Sequence, residues 1–231
     1  MIRIFIGFDP RESLSAYVLQ HSIRSRSSIP ISFTLLDRQN LRGIYDRPRG
    51  EFESTDFSLS RFIVPYLCNY EGWAVFLDCD MLCMGDVVEL AHYMTLANRW
   101  NQAVQVVKHG YIPRLEKKFL GETQTTYERK NWSSLMIFNN ALCRNLTKEA
   151  VNSQSGLWLH RFHWTEDEKV GSIPKVWNYL VSEDNQCYPQ EARMVHFTNG
   201  GPWFKEYENC EFSDLWRQER DEMNGRDARN N

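Results

Sequence analysis

The sequence predicts an α/β fold with a mostly parallel central sheet and helices on both faces. Three observations predict it. Strand-like and helix-like segments alternate along the 231 residues, the pattern of βα units. The run Trp73-Ala74-Val75-Phe76-Leu77 is apolar throughout, as a central parallel strand covered on both faces must be. No repeat, low-complexity linker or shift of composition divides the chain. Residues 1–223 are therefore read as one Rossmann-like domain and 224–231 as a disordered tail. Right-handed crossovers then place the helices on both faces of the sheet.

The elements follow in order. Ile2 to Gly7 reads as a buried first strand. Asp9-Pro10 offers a cap and a first helical position, and Leu14, Tyr17, Val18 and His21 mark the face of the helix after it. Residues 31–36 alternate like a strand, and the polar stretch 37–53, with Gly43, Pro48 and Gly50, reads as a long loop. Leu59, Phe62, Ile63, Tyr66, Leu67 and Tyr70 have the spacing of an amphipathic helix, with Pro65 inside it as a kink point and Gly72 at its end. After the apolar run 73–77 come a helix over 86–94, a strand over 102–107 and a polar, loop-rich stretch over 108–130. A strand over 134–138, a helix over roughly 140–152, a mixed segment over 173–181, a late strand over 194–197 and a charged helix over 212–223 complete the chain.

Composition narrows the function. The formal charge is -3, so there is no basic field to hold a phosphate backbone, and nucleic acid is not an expected partner. No apolar run reaches the length of a membrane span, and the N-terminus lacks a signal-peptide layout; a cytoplasmic protein is expected. The six cysteines are spaced as reduced thiols, because Cys79 and Cys83 have no second pair to complete a zinc site. The chain carries eight Trp, ten Tyr and thirteen Phe. Their flat faces suit sugars and bases, although core packing accounts for most of them.

Two segments carry chemistry. The apolar strand ends abruptly in Asp78-Cys79-Asp80. Two carboxylates two residues apart at a strand end point to the same side, and open α/β sheets bind ligands beyond the carboxyl ends of their strands. The like charges repel unless something positive joins them. A divalent cation with oxygen ligands answers that need, and so does a pair of turn-capping aspartates. Far along the chain, His196-Phe197-Thr198-Asn199-Gly200-Gly201-Pro202-Trp203 joins an imidazole to a flexible loop with free amide N–H groups. That combination completes a metal site and cradles a diphosphate; it also describes a buried His beside a tight turn. Two Asp and one His suit Mn²⁺ better than Mg²⁺.

Together these segments resemble the retaining GT-A glycosyltransferases of the glycogenin and lipopolysaccharide galactosyltransferase type (family 8). The start Ile4 to Asp9 resembles the family's first strand and nucleoside loop. Ser60-Arg61-Phe62 resembles its Arg segment, and Phe76 to Asp80 its Asp-x-Asp motif. Asn131 to Asn139 resembles its Asn-Ser-Gly strand, and Ile173 to Asn178 its Leu-Pro-x-x-Trp/Tyr-Asn segment. His196 to Trp203 resembles its His-x-x-Gly-x-x-Lys-Pro-Trp ending. The resemblance implies a GT-A domain that transfers a sugar from a nucleotide-sugar donor, a UDP-sugar, to a carbohydrate, glycolipid or protein acceptor, with retention. It implies metal ligation by Asp78, Asp80 and His196. Phe8, Asp9 and Arg61 would serve nucleoside and phosphate, and Gly200, Gly201 and Lys205 the diphosphate. Asn139 and Asp167 are candidates for sugar contacts. The chain departs from the pattern where the ending is one residue shorter and Gly201 replaces the family's Lys, and where Trp132 and Ser134 replace its small pair. The loop 198–205 is expected to be mobile until a donor binds. Two other classes stay open: a haloacid-dehalogenase-type phosphatase, which also places Asp-x-Asp after an apolar strand, and a non-catalytic carbohydrate-binding protein on the same fold.

Overall fold

The computed structural model describes residues 1–50, 53–110, 120, 129–183 and 187–225. The loop-rich stretch expected over 108–130 lies mostly outside the described residues, as do Glu51 and Phe52 of the expected long loop and most of the expected tail.

The strands are β1 (Ile2–Gly7), β2 (Ile31–Leu36), β3 (Trp73–Leu77), β4 (Met81–Cys83), β5 (Val104–Val106), β6 (Leu135–Asn139), β7 (Val170–Ser172), β8 (Tyr179–Leu180) and β9 (Met194–His196). The α-helices are α1 (Ser13–Arg26), α2 (Val64–Leu67), α3 (Leu90–Arg99), α4 (Lys148–Ser153), α5 (Gly156–His160) and α6 (Ser213–Met223). Among the described residues the main sheet has the order β2-β1-β3-β6-β5-β7. It is parallel except at β6, which runs against both β3 and β5. Ala74 to Leu77 are fully buried, which agrees with an unbroken apolar sequence at the centre of a sheet.

A second sheet was not expected. The late strand β9 lies between β4 and β8, antiparallel to β4 with Met81 opposite His196 and parallel to β8 with Leu180 opposite His196. Behind it, Val18, Leu82, Tyr179, Val195, Phe197 and Trp216 form a smaller apolar core. Fully burying large side chains of this kind stabilises by about 1.5–3 kcal/mol each, and Trp216 is the anchor that α6 places in this core. Glu219 of α6 adds a polar tie: it is buried, with its carboxylate 2.5 Å from His21 Nδ1 and 2.7 Å from Arg26 Nη1.

Three helix expectations need correction. In α1 the inward face is Ser15, Ala16, Val18, Leu19, Ser22 and Ile23, while Leu14 and Tyr17 are exposed. Small Ser and Ala let this helix lie close to the sheet, which a count of large apolar residues overlooks. The helix expected over 59–70 is broken into a 3₁₀ turn, Ser60–Ile63, and the single turn α2. Pro65 has no N–H to give Arg61, and Asn69 and Tyr70 have left-handed φ values of 51° and 57°. The helix expected over 140–152 starts only at Lys148, where the Thr147 side chain caps Ala150 N.

Candidate active site

Asp78 and Asp80 leave β3 at its carboxyl end, as the sequence predicts. The turn that carries them is clamped by its own backbone. Asp78 N donates to Ser134 O at 2.9 Å, Phe197 N to Asp80 O at 2.9 Å, and Ser15 Oγ to Cys79 O at 2.9 Å. These bonds join the main sheet, the small sheet and α1 around two residues. The β4–β9 register then brings His196 to the aspartates across more than a hundred residues of chain. Its Nε2 lies 3.3 Å from Asp80 Oδ1 and 4.0 Å from Asp78 Oδ2. One ligand atom from each of the three residues falls within 4.8 Å of the others, and all three are buried. The convergence expected from the sequence is therefore present in the fold.

The local field is negative. Burial, followed by the charges of Glu12, Asp80, Asp78 and Asp9, pushes the Cys79 thiol well above its usual range. Arg61 offsets part of this charge. It is buried, with Nη1 2.8 Å from Asp78 Oδ1 and 2.9 Å from Ser133 O, and its guanidinium lies 5.2 Å from the Phe57 ring and 5.1 Å from the Phe76 ring. Arg61, expected from the resemblance to serve the donor phosphate, is paired here with Asp78. Two carboxylates and a neutral imidazole form an N/O donor set suited to a divalent first-row cation, so the residues present fit the metal that the resemblance implies.

The remaining expected site residues fall into three groups. Asp9 is buried and caps the turn after it through Arg11 N at 2.9 Å. Its carboxylate also accepts from the Arg11 guanidinium at 2.9 and 2.6 Å and from Asp56 N at 3.1 Å. Burial alone would raise its pKa, but these hydrogen bonds outweigh burial and hold it below the usual value. Phe8 is half-buried against the main core. Asn139 stands apart: β6 is antiparallel, so Asn139 pairs with Trp73 at the opposite end of β3, roughly 16 Å from Asp78 at strand spacing. The site-facing end of that segment is Asn131 to Ser134. Asp167 is exposed and carries a two-pronged hydrogen bond from Arg129 at 2.8 and 2.7 Å, which lowers its pKa.

The loop after His196 is more firmly held than a mobile loop needs to be. Thr198, Asn199, Gly200 and Gly201 are all buried. Asn131 Nδ2 donates to Thr198 Oγ1 at 3.1 Å, and Asn199 Nδ2 to Glu183 Oε1 at 3.1 Å. Trp203 packs on Trp216, Phe197 and Phe204 with ring centroids 5.3, 5.5 and 5.9 Å away. Gly200 has a φ of 133°, and a Cβ on Gly201 would lie 2.1 Å from the Trp203 ring. Glycine is thus required at Gly200 for its backbone conformation and at Gly201 because a Cβ has no room beside the Trp203 ring. Lys205 is exposed.

Sequence reasoning passed over Asn178, His109 and Trp132 as parts of the site. Asn178 is fully buried, and its Oδ1 lies 2.9 Å from His196 Nδ1; its place in the Ile173–Asn178 segment was the available signal. His109 is buried, and burial, then the charges of His196 and Lys175, hold its pKa down at about 3. Its carbonyl accepts from Trp132 Nε1 at 2.8 Å. Lys108 Nζ and the Arg129 guanidinium lie 5.5 and 5.4 Å from the Trp132 ring, so the large residue at this point carries cations. All six cysteines are free, and among the described residues no helix is long and apolar enough to cross a membrane.

No protein-family model matches the chain. Protein CDI of Arabidopsis thaliana is 47% identical over 232 residues, covering 96% of this chain and 87% of that protein. Three solved structures share the fold at much lower identity. The apo WbbM bifunctional glycosyltransferase aligns with a TM-score of 0.61 at 15% identity, over 97% of this chain and 51% of its own; this chain thus spans about half its length. The galactosyltransferase LgtC, in complex with donor and acceptor sugar analogs, aligns with a TM-score of 0.57 at 11% identity, over 96% of both chains. The glycosyltransferase GlyE of Streptococcus pneumoniae TIGR4 aligns with a TM-score of 0.61 at 12% identity, over 95% of this chain and 60% of its own. The fold is that of the GT-A glycosyltransferases.

Proposed function

The chain belongs to the same family as Protein CDI of Arabidopsis thaliana, and we propose that it is a metal-dependent glycosyltransferase using a nucleotide-sugar donor. The observation that carries this reading is the convergence of Asp78, Asp80 and His196 within 4.8 Å at the carboxyl end of β3 in a GT-A fold. Asp78, Asp80 and His196 hold the cation, Mn²⁺ in preference to Mg²⁺. When bound, that cation neutralises charge on the donor diphosphate and on the departing nucleotide. Arg61 holds Asp78 in its ligating direction through their 2.8 Å ion pair. Gly200 N–H already donates to Phe197 O at 2.8 Å, so the Gly201 N–H, aided by Lys205, takes the role of the missing family Lys toward the diphosphate, with Gly200 shaping the turn. Phe8 and Asp9 line the nucleoside end, and Asp167, with Arg129, borders the sugar side. UDP as the leaving group, a hexose as the transferred sugar, retention of configuration and membership of family 8 follow from the resemblance in the sequence. LgtC was crystallised with donor and acceptor sugar analogs, which supports a sugar acceptor here. The phosphatase alternative loses ground because the chain has a GT-A scaffold and because Asp80 faces an imidazole.

The test is turnover of a panel of UDP-sugars with Mn²⁺, read as nucleotide release. The expected result is release that stops in EDTA and in Asp80→Ala. A protein that binds sugars but releases no nucleotide from any donor would support the non-catalytic carbohydrate-binding reading instead.

A further inference from the structure

We infer that Asn178 is a positioning residue of the metal site: its side-chain amide decides which imidazole nitrogen of His196 faces Asp78 and Asp80. The inference rests on the metal reading above and adds a residue that does not itself touch the cation.

The carbonyl oxygen of Asn131 can only accept. Asn178 Nδ2 lies 3.2 Å from it and 3.2 Å from Ser134 Oγ. Ser134 Oγ donates its own proton to the same Asn131 carbonyl at 2.7 Å, so it meets Nδ2 as an acceptor. The amide therefore turns its NH₂ toward the entrance of β6 and its Oδ1 toward His196. That oxygen also can only accept, and it lies 2.9 Å from His196 Nδ1. The proton of a neutral His196 is thus held on Nδ1. Nε2 is left with its lone pair directed at Asp80 Oδ1, 3.3 Å away, and Asp78 Oδ2, 4.0 Å away. Three electron-pair donors then face one another, the arrangement a divalent cation completes. The other tautomer would place an N–H, which cannot ligate a cation, against the carboxylates.

Burial makes this assignment firm. Asn178 is fully enclosed and His196 is 2% exposed, so water does not compete for Nδ1. The same amide joins β9, through His196, to the turn that leads into β6, whose Ser134 carbonyl receives Asp78 N. One side chain thus sets both the tautomer and the relative position of the aspartates and the histidine. Partners of this kind behind a metal-bound His change metal affinity by about 10–100-fold when removed.

The experiment uses two readouts besides turnover. The ¹⁵N-edited imidazole spectrum of the metal-free chain, with His196 assigned through His196→Gln, reports the tautomer. Titration with Mn²⁺, following the free-ion resonance, reports affinity. The parent is expected to show His196 as the Nδ1–H form and to bind Mn²⁺. Asn178→Leu, close in size but without hydrogen bonds, is expected to lose the tautomer preference and bind Mn²⁺ about 10–100-fold more weakly. A parent spectrum with the proton on Nε2 overturns the inference and needs no variant, so it stands even if Asn178→Leu does not fold. Parent-like Mn²⁺ affinity in a folded Asn178→Leu also overturns it while leaving the metal reading intact. A parent that binds no Mn²⁺ sinks the metal reading itself, and the inference with it.

Discussion

Replacing Arg61 by Met should cost the fold more than any surface change near the site. The methionine keeps most of the stem but strips the counter-charge from an aspartate that is only 8% exposed. At the 2.8 Å separation of Arg61 and Asp78, the attraction at an effective dielectric of about 20 is about 6 kcal/mol before desolvation is subtracted. Removing one partner of a buried pair generally costs about 3–5 kcal/mol, because the other charge stays behind. The hydrogen bond to Ser133 O and the contacts with Phe57 and Phe76 go as well. For a chain of this size the melting temperature should drop by about 6–20 °C. Urea unfolding at neutral pH measures it, with the double variant Arg61→Met/Asp78→Asn as the control. If the cost comes from an orphaned charge, the Asn should give back about 2 kcal/mol or more relative to Arg61→Met. Saturating Mn²⁺ should also narrow the gap, because it brings positive charge to the same carboxylate. A loss under about 1 kcal/mol, or an Asn that deepens the loss, would refute the claim that Arg61 neutralises Asp78.

Three further outcomes follow from the same geometry. Asp80→Ala should abolish metal-dependent nucleotide release yet leave the melting temperature close to the parent's, since it removes one of two facing like charges at a strand end; a large fall in melting temperature would count against this. Gly201→Ala should destabilise by about 1–3 kcal/mol and alter tryptophan fluorescence, because its Cβ meets the Trp203 ring at 2.1 Å, whereas exposed Lys205→Ala should leave stability unchanged and weaken UDP binding if Lys205 meets the diphosphate. Burial holds both His109 and His160 at about 3 in the folded chain. The unfolded chain therefore binds protons that the native one refuses below pH ~6.5, and stability should fall by about 1.4 kcal/mol per pH unit per histidine between pH ~6 and ~4. His160→Gln should flatten that slope by about one histidine's share, and an unchanged slope in unfolding curves would contradict the assignment.

Much of the main sheet was legible because its strands announce themselves. Trp73 to Leu77 is apolar on both faces, and a pair of aspartates closes it. The small sheet was not legible, because β4 and β8 are three and two residues long and make sense only once β9 pairs with them. The helix expected over 59–70 failed although its apolar spacing was real: Leu59, Phe62 and Ile63 are buried, but the backbone consequences of Pro65 outweighed the pattern. Asn139 lies away from the metal trio for a topological reason. A strand end faces the ligand crevice only if the strand runs with the sheet, and β6 runs against it. The metal trio could be proposed from residue chemistry, yet its meeting depends on the register of Met81 with His196, which one sequence does not reveal.

The most direct test of the metal-dependent donor site is calorimetric titration of UDP into the chain with Mn²⁺ and with EDTA, repeated with GDP and with the Asp80→Asn variant. The proposal expects UDP to bind at least about tenfold more tightly with Mn²⁺ than with EDTA (about 1.4 kcal/mol), more tightly than GDP, and with that gain lost in Asp80→Asn. Nucleotide binding that is absent, or equal with and without the metal, would contradict it.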